Sequence, residues 1–376
     1  MKNKIYIIIG VIAAIVVGIL LLKDKGIDKD SSIKIGVILP LTGDAAFYGE
    51  SMKNGLEIAL SELNQENFNT TQINLIYEDS EAKPAKAVSA INKLITVDKV
   101  ISVIGPLTSS EVLSVAPIAE RNKIVLMTPT ASAPAITFAG DYIFRNLTSD
   151  TYDGIAIAQY AANKLNYKSI AIAYLNNDFG IGLRDAFKNE ADKLGITITK
   201  EQAFQQDEID FKIQIVSIKE SQSDALFVVG GKELGRLLKQ ASNLKINLPI
   251  LSVGVFEDPD IIKIAGNVVE GAYYTYRAYD PSSDKLEVKK FVNSYKSKYQ
   301  KEPDLYASLS YDALHLVGLA LIKAKENENT LKDQLYQIKD FPGVTGVTTI
   351  DSNGDVNKPM GIKSVKNGKF VWIEKP

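Results

Sequence analysis

The sequence contains no cysteine and a single histidine, His315. The absence of cysteine excludes a disulfide framework, a thiolate zinc site and a cysteine nucleophile. One histidine, placed in the apolar helical run "DALHLVGL", is better explained as a packed side chain than as part of a catalytic triad. We therefore expect no enzyme activity, no cofactor and no metal site.

A surplus of one charge sign is also lacking, because 43 basic and 45 acidic residues leave a formal net charge of −2. Nothing in this balance favours phosphate-rich partners, so nucleic acid is not expected to bind. The chain has 376 residues, of which 45% are hydrophobic, and this is enough material for two domains with proper cores.

One long hydrophobic run is present, "IYIIIGVIAAIVVGILLL" at residues 5–22, and lysines flank it on both sides. It just reaches the length of a membrane-spanning helix, and no small-residue cleavage site follows it. We therefore expect an uncleaved transmembrane anchor rather than a cleaved signal. Residues 1–4 form its basic flank, and the charged residues 23–32 are expected to act as a tether.

The remainder of the chain alternates short apolar runs with segments of helical period, which predicts an α/β fold with parallel-rich sheets. The pattern occurs twice, over residues 33–147 and 148–278, and indicates two similar lobes. Two successive helices in 279–342 are expected to return to the first lobe. The tail, 343–376, predicts a hairpin around "DSNGD" on the side of the second lobe. We expect no second run long and apolar enough to span a membrane.

The predicted ligand cleft lies beyond the carboxyl ends of the strands, as in other open parallel sheets. One of these ends reads "TPTASAPAIT", directly after the apolar run "KIVLM". Its prolines stop the strand, and its hydroxyl side chains then face either solvent, as in any loop, or a ligand. The other ends read "PLTGDAAFYG", "GPLTSSE", "LNNDFGIG" and "SVGVFEDPD".

These segments, together with "YEDSEAKPAKAV", "YIFRNLTSDTYDG" and "GVTGVTTIDSNGDV", resemble in order and spacing the leucine/isoleucine/valine-binding protein family. Its members are type I periplasmic binding proteins that serve ABC importers, and the resemblance covers residues 33–376. It implies two Rossmann-like lobes joined by three crossovers and closing on a small ligand. It also implies amino-acid transport, ABC permease and ATPase subunits as partners, and a location outside the cytoplasm. With the anchor, that location is the outer face of the cytoplasmic membrane, periplasmic or at the cell surface.

The resemblance also implies ligand-binding residues in the first lobe. Ser109 and Ser132, with the backbone at Ala131, match the groups that hold a ligand carboxylate. A helix that begins near Ser109 would add unpaired N–H groups and positive dipole at the same point. The alternative is that Ser109 or Ser110 only caps that helix.

Two aromatic residues match ring positions that face the ligand in the family. Tyr48 corresponds to the aromatic residue of the loop after the first strand, and Phe179 to the aromatic residue that the second lobe lays over the ligand. For both, ordinary loop packing is the alternative. The residue Lys232, where many members carry an aromatic side chain, either suits an anionic ligand or simply begins a solvated helix.

The second lobe departs from the family pattern at the acidic residue that pairs with a ligand ammonium group. Gly254 falls near that position, and Glu257 and Asp258 follow it. A charge in a closed cleft needs a partner. If neither acid reaches the ligand, urea, short amides or other neutral or anionic solutes become better candidates than an amino acid. A ligand-sensing receptor domain also remains an alternative to transport.

Overall fold

The computed structural model describes residues 32–66, 72–327 and 329–376. The predicted membrane anchor at 5–22 lies outside these residues. The first lobe is built on five parallel strands in the order β2–β1–β3–β4–β5, with helices packed on both faces. Its first elements are β1 (Ile33–Leu39), α1 (Ala46–Glu66), β2 (Ile73–Asp79), α2 (Pro84–Lys93), β3 (Ser102–Ile104), α3 (Ser109–Asn122), β4 (Val125–Thr128) and β5 (Ile143–Arg145).

The second lobe is built on seven strands in the order β14–β13–β10–β9–β8–β6–β7. Five of them, from β10 to β7 in this order, are parallel, and the last two strands of the chain are added in antiparallel pairing at the other edge. The elements are α4 (Asp150–Asn163), β6 (Ser169–Leu175), α5 (Asp178–Lys193), β7 (Thr197–Phe204), α6 (Lys212–Glu220), β8 (Ala225–Val229), α7 (Glu233–Asn243), β9 (Ile250–Ser252), α8 (Pro259–Ala265) and β10 (Tyr273–Arg277), with β13 (Met360–Lys366) and β14 (Lys369–Glu374).

Between β10 and β13 the chain returns to the first lobe. The helix α10 packs against α1, and Phe291, Leu316, Ile350 and Val356 lie in the same core cluster as Met52. Removing one such buried aliphatic side chain typically costs about 2–5 kcal/mol. The returning elements are α9 (Leu286–Tyr299), α10 (Leu305–Asn327), α11 (Leu331–Tyr336), β11 (Phe341–Gly343) and β12 (Gly346–Thr348).

The two-lobed α/β fold predicted from the sequence is confirmed, and the apolar run "KIVLM" contributes to β4. Apolar runs this short, bounded by turn residues, have no room for a helix and bury well inside a sheet. The chain passes between the lobes after β5, after β10 and before β13.

At "DSNGD" the chain makes a turn closed by one antiparallel bridge, and the two-stranded hairpin of the tail is formed by β13 and β14 at the edge of the second-lobe sheet. A single antiparallel bridge joins Ile350 and Val356, and the turn between them docks against β5. The carbonyl of Gly354 accepts the N–H of Arg145, and a Cβ at Gly354 would lie 2.4 Å from the carbonyl oxygen of Ile143. Gly354 therefore serves both the turn, where its φ is 77°, and the close packing of the turn against β5.

The prediction of no second apolar run is also wrong by length and composition, because α10 has 23 residues and a mean hydropathy of 1.4 over its most apolar window. Of that window, 67% is buried inside the protein. The helix packs along α1 in the first-lobe core, so its apolar surface is covered by the protein itself.

Candidate ligand-binding cleft

The loop after β4 is tied to the loop after β3 by its threonine hydroxyls. Thr128 Oγ1 donates to the carbonyl of Pro106 at 2.9 Å, and Thr130 Oγ1 donates to the carbonyl of Leu107 at 2.8 Å. Both loops follow neighbouring parallel strands, so their ends meet at one edge of the sheet. Two of the hydroxyl groups in "TPTASAPAIT" therefore hold the loop in place.

Ser109 supports the same loop from the start of α3. Its Oγ accepts the N–H groups of Ser132 at 3.3 Å and Ala133 at 3.1 Å, and the residue is only 3% exposed. The N-cap of α3 is Thr108, which forms a capping box with Glu111, so the alternative that Ser109 or Ser110 caps the helix is wrong. Ser109 lies one residue inside the helix, where its side chain fixes the backbone that Ser132 presents.

A buried arginine, Arg145, also fixes the loop at 128–137. Arg145 is fully buried, and its Nη1 donates to the carbonyls of Ser132 at 3.1 Å and Ala133 at 3.0 Å. Its Nη2 donates to the hydroxyl of Thr137 and to the carboxylate of Asp355, both at 2.6 Å. The loop at 128–137 is thus fixed by its own hydroxyls, by Ser109 and by Arg145. Ala131, buried at its centre, donates its N–H to Thr128 Oγ1.

The acid Asp150 lies beside Ser132 at the start of α4 and was missed by the sequence analysis. Its N–H donates to the carbonyl of Ser132 at 2.9 Å, and its side chain is 2% exposed. Burial raises the pKa of Asp150 to about 7, and the neighbouring charge of Asp153 acts in the same direction. Arg277, the Ser132 hydroxyl and Arg145 lower that pKa in part. The signal in the sequence was a polar run, "RNLTSD", directly after a buried strand.

Buried ionic groups connect the three crossings between the lobes. Arg277, at the end of β10, donates to the Asp153 carboxylate at 2.5 Å and to the carbonyl of Thr148 in the first crossing at 3.2 Å. Lys358, in the third crossing, donates through Nζ to Asn146 Oδ1 at 2.7 Å. Burial lowers the pKa of Lys358 to about 8. These contacts place a polar hinge directly behind the loop at 128–137.

Among the residues that the structure describes, three side-chain contacts join the lobes across the cleft. The Tyr48 hydroxyl in α1 donates to Asp258 Oδ2 at 2.5 Å. The Ser110 hydroxyl in α3 donates to Asp178 Oδ2 in α5 at 2.6 Å. Lys232 Nζ in the second lobe lies 3.0 Å from Asp44 Oδ2 in the first lobe. The lobes are therefore in contact along the edges of the cleft.

In "FGIG", Gly182 allows the lobes to approach closely, and Gly180 allows close packing within the second lobe. A Cβ at Gly182 in α5 would lie 2.6 Å from Pro134 Cδ of the first lobe, and a Cβ at Gly180 would lie 2.0 Å from the carbonyl oxygen of Leu175. A pocket of about 360 Å³ opens beside this contact and is lined by Pro134, Thr151, Asp178 and Gly182, among others. Because Ser109, Ser132 and Tyr48 do not line it, this pocket lies beside the predicted binding residues rather than among them.

The two acids of the second lobe already have partners. Both carboxylate oxygens of Glu257 accept hydrogen bonds from Lys363 Nζ, at 2.8 and 2.7 Å. One of them also accepts a hydrogen bond from the Tyr274 hydroxyl at 2.8 Å. Asp258 caps α8 through Oδ1 and accepts from Tyr48 through Oδ2. Both carboxylates thus already interact with other residues of the protein. That either acid contacts the ligand stays a prediction.

The aromatic residues lie on opposite walls. Tyr48 packs against Tyr306, with ring centroids 4.7 Å apart, and reaches the second lobe through its hydroxyl. Phe179 is half-buried and packs on the core of the second lobe. The contact of either ring with a ligand stays a prediction. Within the residues that the structure describes, no group of three histidine or acidic side chains is placed to hold a metal ion.

Two α/β lobes, joined by three crossings and touching across the carboxyl ends of their strands, define a hinged solute-binding protein. Residues 32–369 match the periplasmic binding protein family, and the chain belongs to it. It is 26% identical over 331 residues to the leucine-, isoleucine-, valine-, threonine- and alanine-binding protein of Pseudomonas aeruginosa, covering 86% of this chain and 87% of that protein.

Solved structures agree with this assignment. A leucine-binding protein from Thermotoga maritima superposes with a TM-score of 0.83 at 30% identity, covering 92% of this chain and 99% of the other. A branched-chain amino acid transporter substrate-binding protein from Streptococcus pneumoniae, in complex with isoleucine, superposes with a TM-score of 0.81 at 29% identity. That match covers 90% of this chain and 97% of the other.

Proposed function

We propose that this protein is the extracytoplasmic solute-binding subunit of an ABC importer and that it carries a small amino acid, most simply a branched-chain one, in the cleft between its lobes. The observation that carries the proposal is the rigid loop at 128–137, which presents Ser132 beside Asp150 where the lobes meet. The names of the relatives support the ligand class. Permease and ATPase subunits are the partners that an importer requires.

A titration of the full-length protein in detergent micelles tests the ligand class. Leucine, isoleucine, valine, alanine and threonine form one panel, and urea, acetamide and benzoate form a second. We expect saturable binding in the first panel, measured by isothermal calorimetry after removal of co-purified solute. Binding confined to the second panel contradicts an amino-acid ligand.

The second panel is included because the Glu257 carboxylate is engaged by Lys363 within the second lobe. If the Glu257–Lys363 pair stays intact on ligand binding, the Glu257 carboxylate is not free to bind a ligand ammonium group. Such a site would suit a neutral or anionic solute. Transport and sensing are separated by reconstitution of the protein with candidate permease and ATPase subunits from the same organism. Uptake of the bound solute that depends on ATP supports transport, and its absence contradicts it.

We further propose that residues 5–22 hold the protein at the outer face of the cytoplasmic membrane. The support is the length of the apolar run and the absence of a cleavage site after it. N-terminal sequencing of protein recovered from the membrane fraction should begin near Met1. Recovery of a soluble form that begins after Leu22 contradicts the anchor.

A further inference from the structure

Lys232 reaches across one edge of the cleft from the second lobe. It follows Gly230 and Gly231 at the carboxyl end of β8 and stands directly before α7. A cation is unfavourable at this end of a helix, because the backbone dipole is positive there. Its Nζ lies 3.0 Å from Asp44 Oδ2 in the first lobe and 3.7 Å from Asp207 Oδ1 in its own lobe. The two acids therefore explain a lysine at a position that the helix itself disfavours.

Both acids are held in place by their own lobes. The N–H of Asp207 donates to the carboxylate of Glu233 at 3.1 Å, and Glu233 is only 4% exposed. Asp44 lies in the turn between β1 and α1, in which the N–H of Ala46 donates to the carbonyl of Gly43 at 3.1 Å. The ion pair between Lys232 and Asp44 thus joins two segments that each lobe positions by itself.

Further charges around this ion pair come from both lobes. The charges of Asp44 and Asp207 both act on Lys83 of the first lobe. The Lys232 ammonium, through its hydrogen bond and its charge, lowers the pKa of the Asp44 carboxyl, and the charge of Arg236 acts in the same direction. Each lobe thus contributes acidic and basic groups that face opposite charges across the cleft edge. Such a network is a better basis for stabilisation than one isolated surface pair.

The other two contacts described across the cleft are of a different kind. Tyr48 and Ser110 donate hydroxyl hydrogen bonds to Asp258 and Asp178, respectively. A hydroxyl group attracts its acceptor only at short range, whereas opposite charges attract each other over about 10 Å at about 0.1 M salt. The ion pair therefore draws the lobes together before they touch, and added salt weakens this attraction.

We propose that Lys232 is a positioning residue that acts through Asp44 to hold the lobes closed over the ligand. The inference rests on the proposed function, in which the closed lobes retain the solute. A larger closed fraction raises the apparent affinity in the same proportion. The alternative is that Lys232 binds an anionic group of the ligand directly, and the two roles differ in what reversal of the charges does.

Reversal and exchange of the two charges test the inference. The full-length protein in micelles is titrated with leucine, or with another amino acid of the first panel if leucine does not bind. The affinity of the unaltered protein should fall roughly threefold to fivefold between about 0.02 M and about 0.5 M sodium chloride. Lys232→Glu and Asp44→Lys should each bind roughly threefold to tenfold more weakly at the lower salt concentration. The double variant Asp44→Lys/Lys232→Glu should return to within about threefold of the unaltered protein, because its lobes again carry opposite charges.

The matched control is Lys188→Glu, which reverses the charge of an exposed lysine whose partner, Glu201, lies in the same lobe. It should change the affinity by less than about twofold at both salt concentrations. This control separates attraction between the lobes from a general change in net charge.

The outcomes assign the role of Lys232. If both single variants bind the amino acid as the unaltered protein does, the inference fails and the proposed function stands. If Lys232→Glu binds weakly, Asp44→Lys binds normally and the double variant stays weak, Lys232 contacts the ligand and the inference is overturned. Recovery in the double variant supports it, since a direct ligand contact would not be restored by a lysine at position 44.

Closure of the ligand-free protein gives a second measurement that does not depend on the proposed function. Dyes on cysteines introduced at exposed positions of the two lobes report closure by energy transfer. The transfer efficiency should fall as salt is added, and it should be lower in Lys232→Glu than in the unaltered protein at low salt. If the protein binds no amino acid, the proposed function fails, and this measurement then decides the inference alone. An efficiency that neither salt nor charge reversal changes would overturn it.

Discussion

At the scale of single residues, two serine hydroxyls near the end of β4 differ in what they already bind. Ser109 Oγ accepts two backbone N–H groups of the loop at 128–137, whereas the Ser132 hydroxyl faces Asp150 at the cleft. Ser132→Ala should therefore weaken binding by roughly tenfold or more and leave the free energy of unfolding nearly unchanged. Ser109→Ala should lower the free energy of unfolding by about 1–3 kcal/mol and weaken binding as the loop loosens.

Calorimetric titration and denaturant unfolding on both variants check this difference. Ser89→Ala is a suitable control, because Ser89 is exposed and bonds only within α2, to the carbonyl of Ala85. An unchanged stability in Ser109→Ala would show that its hydrogen bonds to the loop matter little. An unchanged affinity in Ser132→Ala would remove this hydroxyl from the binding site.

The shifted pKa of Asp150 predicts a pH dependence of stability with a definite sign. Its pKa is about 7 in the folded protein and about 3.9 in an unfolded chain. The folded state therefore keeps a proton that the unfolded state has released, and stability from this group is full below about pH 4 and is lost as the pH rises to 7. Asp150→Asn lacks this titrating group and does not lose stability in this way. Its free energy of unfolding, relative to that of the ligand-free unaltered protein, should therefore rise by up to about 1.4 kcal/mol per pH unit between about pH 4 and 7.

Unfolding of both proteins by denaturant at four pH values between 4.5 and 7.5 measures the difference. Carboxylates that do not interact with Asp150 titrate equally in the two proteins, so they cancel in the comparison. A difference in unfolding free energy that does not change with pH would contradict the raised pKa of Asp150.

At the scale of secondary-structure elements, a buried ion pair lies where the end of β10 pairs with the start of β13. Arg277 and Asp153 link the end of β10 to α4 and are both nearly inaccessible to solvent. Arg277→Met leaves the Asp153 carboxylate buried without its cation, and should lower the free energy of unfolding by about 3–5 kcal/mol. The double variant Arg277→Met/Asp153→Leu should recover part of that loss, since it removes the unpaired charge as well.

Thermal and denaturant unfolding of the single and double variants form the measurement. The exposed pair Lys289 and Asp284 offers a control, because Lys289→Met should change the free energy of unfolding by less than about 1 kcal/mol. A double variant no more stable than Arg277→Met would argue that lost packing, rather than unpaired charge, dominates.

These elements also separate what the sequence predicts from what it leaves open. Runs such as "SIAIAYL" predict their strands, since alternation of short apolar runs with helical segments depends only on neighbouring residues. The pairing of Asp153 with Arg277 joins residues 124 apart, and that of Asn146 with Lys358 joins residues 212 apart. Local patterns carry no information on such pairs. For the same reason, sequence analysis places Glu257 near a ligand but does not detect Lys363, its partner on another strand.

At the scale of the whole molecule, closure of the lobes depends on the glycine at their contact. Gly182→Val places methyl groups where Pro134 already lies, because even a Cβ there would be 2.6 Å from Pro134 Cδ. The variant should hold the lobes apart and weaken ligand binding by roughly tenfold or more. The neighbouring substitution Ile181→Val adds no atoms and serves as the control.

Closure can be followed by energy transfer between dyes on two introduced cysteines, since the natural sequence has none. Ala85→Cys in the first lobe and Lys212→Cys in the second are both at exposed positions. A saturating amino-acid ligand should raise the transfer efficiency in the unaltered background and in Ile181→Val, and raise it less in Gly182→Val. An efficiency that ligand leaves unchanged in the unaltered background would count against a hinge.

The packing of α1 against α10 has a consequence for how the protein is made. The apolar face of α1, near the start of the chain, is covered by a helix that begins at Leu305, and the same core also takes in Ile350 and Val356. While the ribosome is still making the second lobe, the first lobe lacks one wall of its core and exposes it to water. The nascent chain therefore has no complete domain to fold early. An export route that threads an unfolded polypeptide through the membrane would meet little resistance from this protein until its last residues are synthesised.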